Sequence, residues 1–311
     1  MDPVVLFFLL GVAARLAKTD LRVPEALYEG LTIFLLLAIG LKGGVELAQQ
    51  PFAALLPKAA GVIALGALLP LIAFPVARAL GRLSRADAAS LAAHYGSVSM
   101  VTFAVALAYL VDHGIENEAY MPLFVVLLEV PGIVIGIVLA KMGGSVQWGL
   151  LAREVLLGRS VVLLTGGLLI GWISGPDALR PYTVLFFDLF KGVLALFMLE
   201  MGLVAAARLP DVTRRAGFLL MFGIAVPLLF ALIGTATGIG LGLSPGGTML
   251  LATLAASASY IAAPAAIRIA VPEASPSLSL AASLGVTFPF NVLIGVPLYL
   301  WLSETLHRLT G

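Results

Sequence analysis

Cysteine is absent from this chain of 311 residues, histidine occurs three times, and charged residues make up only 11% of it. The first absence removes disulfides, thiol chemistry and thiolate metal sites, and leaves the compartment open. His94, His113 and His307 are scattered and make no metal-ligand cluster. Soluble domains carry about 25% charged and roughly 45–50% apolar residues. At 11% charged and 61% hydrophobic, this chain is not a soluble enzyme, a nucleic-acid binder or a disordered regulator. Its net charge of +1, from 18 basic and 17 acidic residues, supplies no basic field for nucleic acid or anionic lipid.

What is present is apolar sequence in long blocks, without the alternation of an outer-membrane barrel. The chain therefore reads as an integral protein of the lipid bilayer built from helices of about 20 residues each. Punctuation at proline, glycine and charge clusters predicts ten segments: 3–17, 24–47, 52–80, 87–111, 121–140, 155–173, 183–207, 216–240, 248–269 and 278–302. The first is short for a span and is expected to lie tilted or to begin at the surface. Met1-Asp2-Pro3 lacks the basic region of a cleavable signal, so the first block reads as a mature helix.

Lys and Arg fall unevenly. Thirteen lie after odd-numbered segments: Arg15, Lys18, Arg22, Arg78, Arg82, Arg85, Lys141, Arg153, Arg159, Arg208, Arg214, Arg215 and Arg268. Five lie on the other side: Lys42, Lys58, Arg180, Lys191 and Arg308. Positively charged loops stay in the cytoplasm, which predicts a multi-pass protein of the cell inner (plasma) membrane with both termini outside.

The sequence also repeats itself. Ser84, Ser97 and Ser99 in and before segment 4 each precede a counterpart, Ser244, Ser257 and Ser259, by 160 residues. Gly40 in segment 2 precedes Gly202 in segment 7 by 162, and Pro131 in segment 5 precedes Pro289 in segment 10 by 158. Five segments per half is an odd number, so the second copy enters the membrane from the opposite side. The expected fold is an all-α membrane protein, ten transmembrane helices in two inverted five-helix repeats with broken, crossing helices 4 and 9. Residues 1–140 are the first repeat, 141–153 a short cytoplasmic linker, and 154–311 the second repeat.

Inverted repeats place a substrate site at the bilayer midplane, between broken helices whose N-termini attract anions. Ser97, Val98 and Ser99, with Ser257, Ala258 and Ser259, are the expected substrate-binding residues, since small polar runs sit where lipid-facing helices would be leucine-rich. For a single pair, close helix packing is the simpler reading; duplication at matched positions favours a site. Glu129, before Pro131 in mid-segment 5, is a candidate cation ligand or proton carrier because a buried carboxylate is costly. Glu200 in segment 7 is a weaker candidate. Nothing beyond adjacency supports a His94–Ser97 catalytic pair, and His94 is expected beside a water-filled vestibule.

These residues resemble the sodium-dependent bicarbonate transporter family. The similarity touches Val23-Pro24-Glu25-Ala26, Ile39-Gly40-Leu41-Lys42-Gly43-Gly44, the Tyr95 to Thr102 serine segment, Met201-Gly202-Leu203, Ser244-Pro245-Gly246-Gly247 and Ala255 to Ser259. It continues through Ile267-Arg268-Ile269-Ala270-Val271-Pro272 and Pro276-Ser277. The resemblance implies bicarbonate bound between helices 4 and 9 with sodium nearby, and no cofactor beyond that coupling ion. It also implies a scaffold of helices 1, 2, 6 and 7, a mobile core of the rest, a homotrimer, and a soluble PII-like regulator docking from the cytoplasm. Thr102, Tyr260 and Thr287 join Glu129 as expected cation-binding or coupling residues. The photosynthetic members carry aspartate where this chain has Tyr260 and a second aspartate where it has Glu129. Met100 replaces a small residue, and the long polar insert between helices 5 and 6 is reduced to a short loop.

The expectation is a secondary active transporter, not an enzyme, that takes up bicarbonate or a similar small anion with sodium by an alternating-access, elevator-like movement. Proton coupling, another small carboxylate, a non-transporting anion receptor and an intramembrane enzyme are the alternatives.

Overall fold

The computed structural model describes residues 2–48, 52–142, 148–213 and 216–310. Its regular structure is helical, with no strand among the described residues. The order is α1 (Pro3–Leu16), α2 (Glu25–Leu47), α3 (Phe52–Ala79), α4 (Arg85–Gly96), α5 (Met100–Asp112), α6 (Met121–Lys141), α7 (Trp148–Leu156), α8 (Arg159–Leu179), α9 (Phe190–Ala207), α10 (Leu209–Thr213), α11 (Ala216–Gly240), α12 (Pro245–Ala255), α13 (Ala262–Ala270), α14 (Pro276–Ala282), α15 (Phe288–Phe290) and α16 (Val296–Thr310). Wide π turns at Ser283–Thr287 and Asn291–Gly295 join the last three into one long helix, flanking Pro289, whose ring and missing N–H disturb the regular ladder.

Eight stretches among the described residues are long and apolar enough to cross a membrane, so the chain is a multi-pass membrane protein. The sequence predicts ten. α1 is 14 residues long and ends where Lys18 takes a left-handed φ of 56°, with the Lys18 and Thr19 N–H groups closing on the Arg15 and Ala14 carbonyls. The segments 87–111 and 248–269, helices 4 and 9 of the sequence, are each interrupted, dividing into α4 and α5 and into α12 and α13. Of the predicted linker 141–153, residues 143–147 lie outside the described residues, as do Arg214 and Arg215, and 148–153 form part of α7 rather than a loop.

In lipid there is no hydrophobic drive to bring helices together, so close backbone approach and interhelical hydrogen bonds carry the packing. α2 packs along α8, and α1 along α9. Both crossings use the sequence-matched glycines. A Cβ on Gly40 would lie 2.6 Å from the Leu164 carbonyl oxygen, and one on Gly202 would lie 2.1 Å from that of Phe8. Around this four-helix group a second group forms, with α4 against α3 and α6, and α12 against α11 and α16.

Two carboxylates staple the second group at its ends. Glu118, in the loop before α6, accepts from the Ser244 N–H at 2.5 Å and its hydroxyl at 3.1 Å, at the start of α12. Asp87, in the first turn of α4, accepts from the Ser275 N–H at 2.8 Å, just before α14. Each contact also places negative charge beside a helix N-terminus, the favourable end of its dipole.

Candidate functional site

α4 stops at Gly96 and α5 starts at Met100, with Ser97 and Ser99 in extended conformations between them (ψ 176° and 111°). α12 stops at Ala255 and α13 starts at Ala262, with Ser257, Ala258 and Ser259 between. Unwound backbone inside a membrane protein must find partners within the protein or in a ligand. Here each break partly satisfies the other. The Ser99 N–H donates to the Ser257 hydroxyl at 2.8 Å, and the Ser259 N–H donates to the His94 carbonyl at 2.8 Å. The Asn291 side-chain amide donates to the Ala256 carbonyl at 2.9 Å, and its oxygen accepts from the Tyr299 hydroxyl at 2.7 Å.

The matched serines have a local structural role as well. Ser84 and Ser244 cap α4 and α12, accepting from the N–H groups of Asp87 (3.0 Å) and Gly247 (3.1 Å). Ser99 caps α5 through the Thr102 N–H at 3.1 Å, and Ser259 accepts from Ala263 in the first turn of α13 at 3.2 Å. Ser257 donates to the Leu254 carbonyl at 2.8 Å. Ser97 differs from all of these. Its hydroxyl is buried and has no hydrogen-bond partner.

α6 supports the first break from behind. A Cβ on Gly132 would lie 2.0 Å from the Gly96 carbonyl, and one on Gly136 would lie 2.6 Å from the Ala93 side chain. Glu129 is one turn before Gly132, so the same helical face carries its carboxyl to the crossing. Glu129 is 2% exposed and its Oε2 has no partner. It lines a small cavity of ≈ 10 Å³ together with Val98, Ser99, Met100, Ser160, Ser259 and Tyr260. That volume suits about one water molecule, and no lysine or arginine lines it.

The structure thus brings together Ser97, Val98, Ser99, Ser257, Ala258, Ser259, Glu129 and Tyr260, all at or beside the crossing. Tyr260 accepts from the Ser99 hydroxyl at 3.2 Å, and Thr102 joins the same network by donating to the Ser99 hydroxyl at 2.9 Å. Thr287 sits elsewhere, donating to the Gly223 carbonyl at 2.8 Å and paired with the Tyr95 hydroxyl at 2.6 Å. Glu200 does not line the cavity and is half-buried on α9.

His94 is not beside a vestibule as expected. It is 1% exposed, its Nδ1 pairs with the Ser90 carbonyl at 2.8 Å, and its Nε2 has no partner. Nε2 and the Ser97 hydroxyl are both unpaired, so no nucleophile–base hydrogen bond exists between them. Sequence reading missed Asn291, Ser160 and Gly132. Asn291 left a trace, an amide in an apolar run just after Pro289; Ser160 and Gly132 left none.

Chemically, the crossing gathers hydroxyls, the first-turn N–H groups of α5 and α13, and one carboxyl. First-turn N–H groups lack intrahelical acceptors and carry the positive end of the dipole, which suits an anion. The carboxyl suits a cation or a proton. Comparison with curated proteins gave no match. The family model described as the Na+-dependent bicarbonate transporter superfamily matches residues 3–304, nearly the whole chain. An all-helical membrane chain matched over that length, with two interrupted helices meeting at serines, belongs to the Na+-dependent bicarbonate transporter superfamily.

Proposed function

We propose that this protein is a secondary active transporter that takes up bicarbonate, or a similar small anion, together with sodium. The observation that carries the reading is the hydrogen-bonded crossing of two helix breaks, with the unpaired Ser97 hydroxyl and Glu129 carboxyl beside it. In this reading the anion sits against Ser97, Ser99, Ser257 and Ser259 and the helix N-termini, and Glu129 with Tyr260 and Thr102 takes the cation. The ≈ 10 Å³ cavity corresponds to a closed cage that opens to admit an anion.

The α1, α2, α8 and α9 group serves as scaffold, and the remaining helices move past it, exposing the crossing to each side in turn. Two inverted repeats, a plasma-membrane location with both termini outside, a homotrimer and a PII-like cytoplasmic regulator belong to the same proposal. Uptake of labelled bicarbonate into vesicles holding the purified protein tests it. A sodium gradient should drive accumulation, and uptake equal to that of protein-free vesicles would end the reading.

A second reading replaces sodium by a proton on Glu129. The absence of any lysine or arginine from the cavity lining favours it, since an ionised carboxylate there has no fixed counter-charge. The same vesicles, given an inward proton gradient without sodium, separate the two.

A further inference from the structure

A second cavity, of ≈ 790 Å³, lies away from the serine crossing, with none of residues 97–99 or 257–260 in its lining. It occupies the seam between the two helix groups. α1 and the start of α9 form one wall; the end of α5 and the π turn Asn291–Gly295 form the other. The walls are apolar, with Val105, Ala195, Val292 and Leu293 among them. Leu293 is 41% exposed and its neighbour Ile294 55%, so the seam opens sideways on a lipid-facing surface.

The rim is different. Asp112, the last residue of α5, forms an ion pair with Lys191, the second residue of α9, and both line the cavity. His113 beside them stacks on Tyr109 with ring centroids 4.1 Å apart. Charges at helix ends stand at headgroup depth, and the apolar walls lie deeper, at acyl-chain depth. The volume falls within the usual range of ligand sites, roughly 300–1,000 Å³.

We propose that this cavity holds one phospholipid with a zwitterionic headgroup, its phosphate against Lys191, its ammonium against Asp112, and an acyl chain along Val105 and Val292. A small hydrophilic anion gains nothing from such walls. Asp2 also lines the cavity, so an anionic lipid would satisfy Lys191 but bring its negative charge against Asp112 and Asp2, whereas a zwitterion pairs with both ends of the existing ion pair. Because the seam divides two helix groups, a lipid wedged there must shift whenever the groups slide. Lipid binding itself does not require that motion.

The test uses the full chain purified in detergent, offered phosphatidylethanolamine or phosphatidylglycerol, with bound lipid read by native mass spectrometry. The parent should retain one phosphatidylethanolamine in preference to phosphatidylglycerol. Val292→Trp, which fills the cavity, should lose that adduct. Lys191→Ala should weaken it roughly tenfold, the loss of one charge-assisted hydrogen bond. Equal retention by parent and variants, or equal retention of the two lipids, overturns the proposal. Should Val292→Trp fail to fold, Gly192→Cys decides, since Gly192 lines the cavity, is exposed and has open space around an added side chain. Its thiol should be shielded from a charged, water-soluble reagent in vesicles of phosphatidylethanolamine mixed with phosphatidylglycerol and open to it in lipid-free detergent. Free modification in both identifies an aqueous vestibule and overturns the proposal.

Discussion

The backbone N–H of Ser99 donates to the Ser257 hydroxyl at 2.8 Å, so the interruption in one membrane helix is held by the interruption in another. The four central serines therefore differ in what their hydroxyls hold. Ser257, Ser99 and Ser259 each pair with protein groups, and the Ser97 hydroxyl pairs with none.

This difference separates folding from binding. Ser257→Ala leaves the buried Ser99 N–H without an acceptor and should lower stability by about 1–3 kcal/mol, alongside weaker binding. Ser97→Ala removes a hydroxyl that supports nothing in the protein, so stability should be unchanged while anion affinity falls roughly tenfold or more. Thermal unfolding in detergent and bicarbonate binding on the same samples check both. Equal destabilisation by the two variants would refute the distinction.

Glu129→Gln removes charge at nearly constant volume. Losing a charged contact to a bound cation costs about 1.5–3 kcal/mol, so sodium-driven uptake should collapse. If the carboxyl carries a proton instead, the variant should lose its response to a pH gradient and keep whatever sodium response the parent has. Uptake measured against sodium and against pH distinguishes these outcomes. A variant with both responses intact would leave Glu129 as a packing residue.

Much of this architecture was legible in the amino acids because lipid imposes strong patterns. Long apolar blocks mark the helices, and the spacing of Ser84, Ser97 and Ser99 before Ser244, Ser257 and Ser259 marks the two breaks. The roles were less legible. Two of these matched pairs invite a ligand reading, yet Ser99 and Ser259 combine capping with the crossing, and the third pair, Ser84 and Ser244, caps helices. Thr287 precedes Pro289 by two residues as Glu129 precedes Pro131, but a sequence offset fixes a position along a helix and not the direction of a side chain, and Thr287 points to Tyr95 and Gly223. Asn291 and Glu118 act through contacts 35 and 126 residues away, which no local pattern encodes.

Gly132 gives a sharper packing test. Its missing Cβ would meet main-chain atoms of Gly96 at 2.0 Å and Ser97 at 2.5 Å, and backbone cannot rotate away as a flexible side chain can. Overpacking ordinarily costs about 1–3 kcal/mol, and Gly132→Ala should reach or exceed the top of that range. Gly166, with nothing within 4 Å, is the control. There alanine should stabilise α8 by roughly 0.5–1 kcal/mol. Unfolding midpoints of the two variants against the parent check the pair; equal behaviour would mean that α4 and α6 can separate at little cost.

Movement between the two helix groups can be blocked by a crosslink. Ile39 on α2 and Ala108 on α5 line one small cavity between the two groups, so they face each other across the proposed sliding surface. The chain has no cysteine of its own, and Ile39→Cys with Ala108→Cys can be bridged by a short bifunctional thiol reagent without background. The serine crossing is built from the α4–α5 and α12–α13 breaks of the second group, and among the residues lining its cavity Ser160 of α8 comes from the first. Bridging should therefore stop transport while binding survives, and cutting a reducible bridge should restore uptake. Each single-cysteine variant treated with the same reagent controls for simple obstruction. If the fully bridged protein transports as fast as the untreated one, the two groups do not slide at this surface, and alternating access must be sought in smaller gating movements around the crossing.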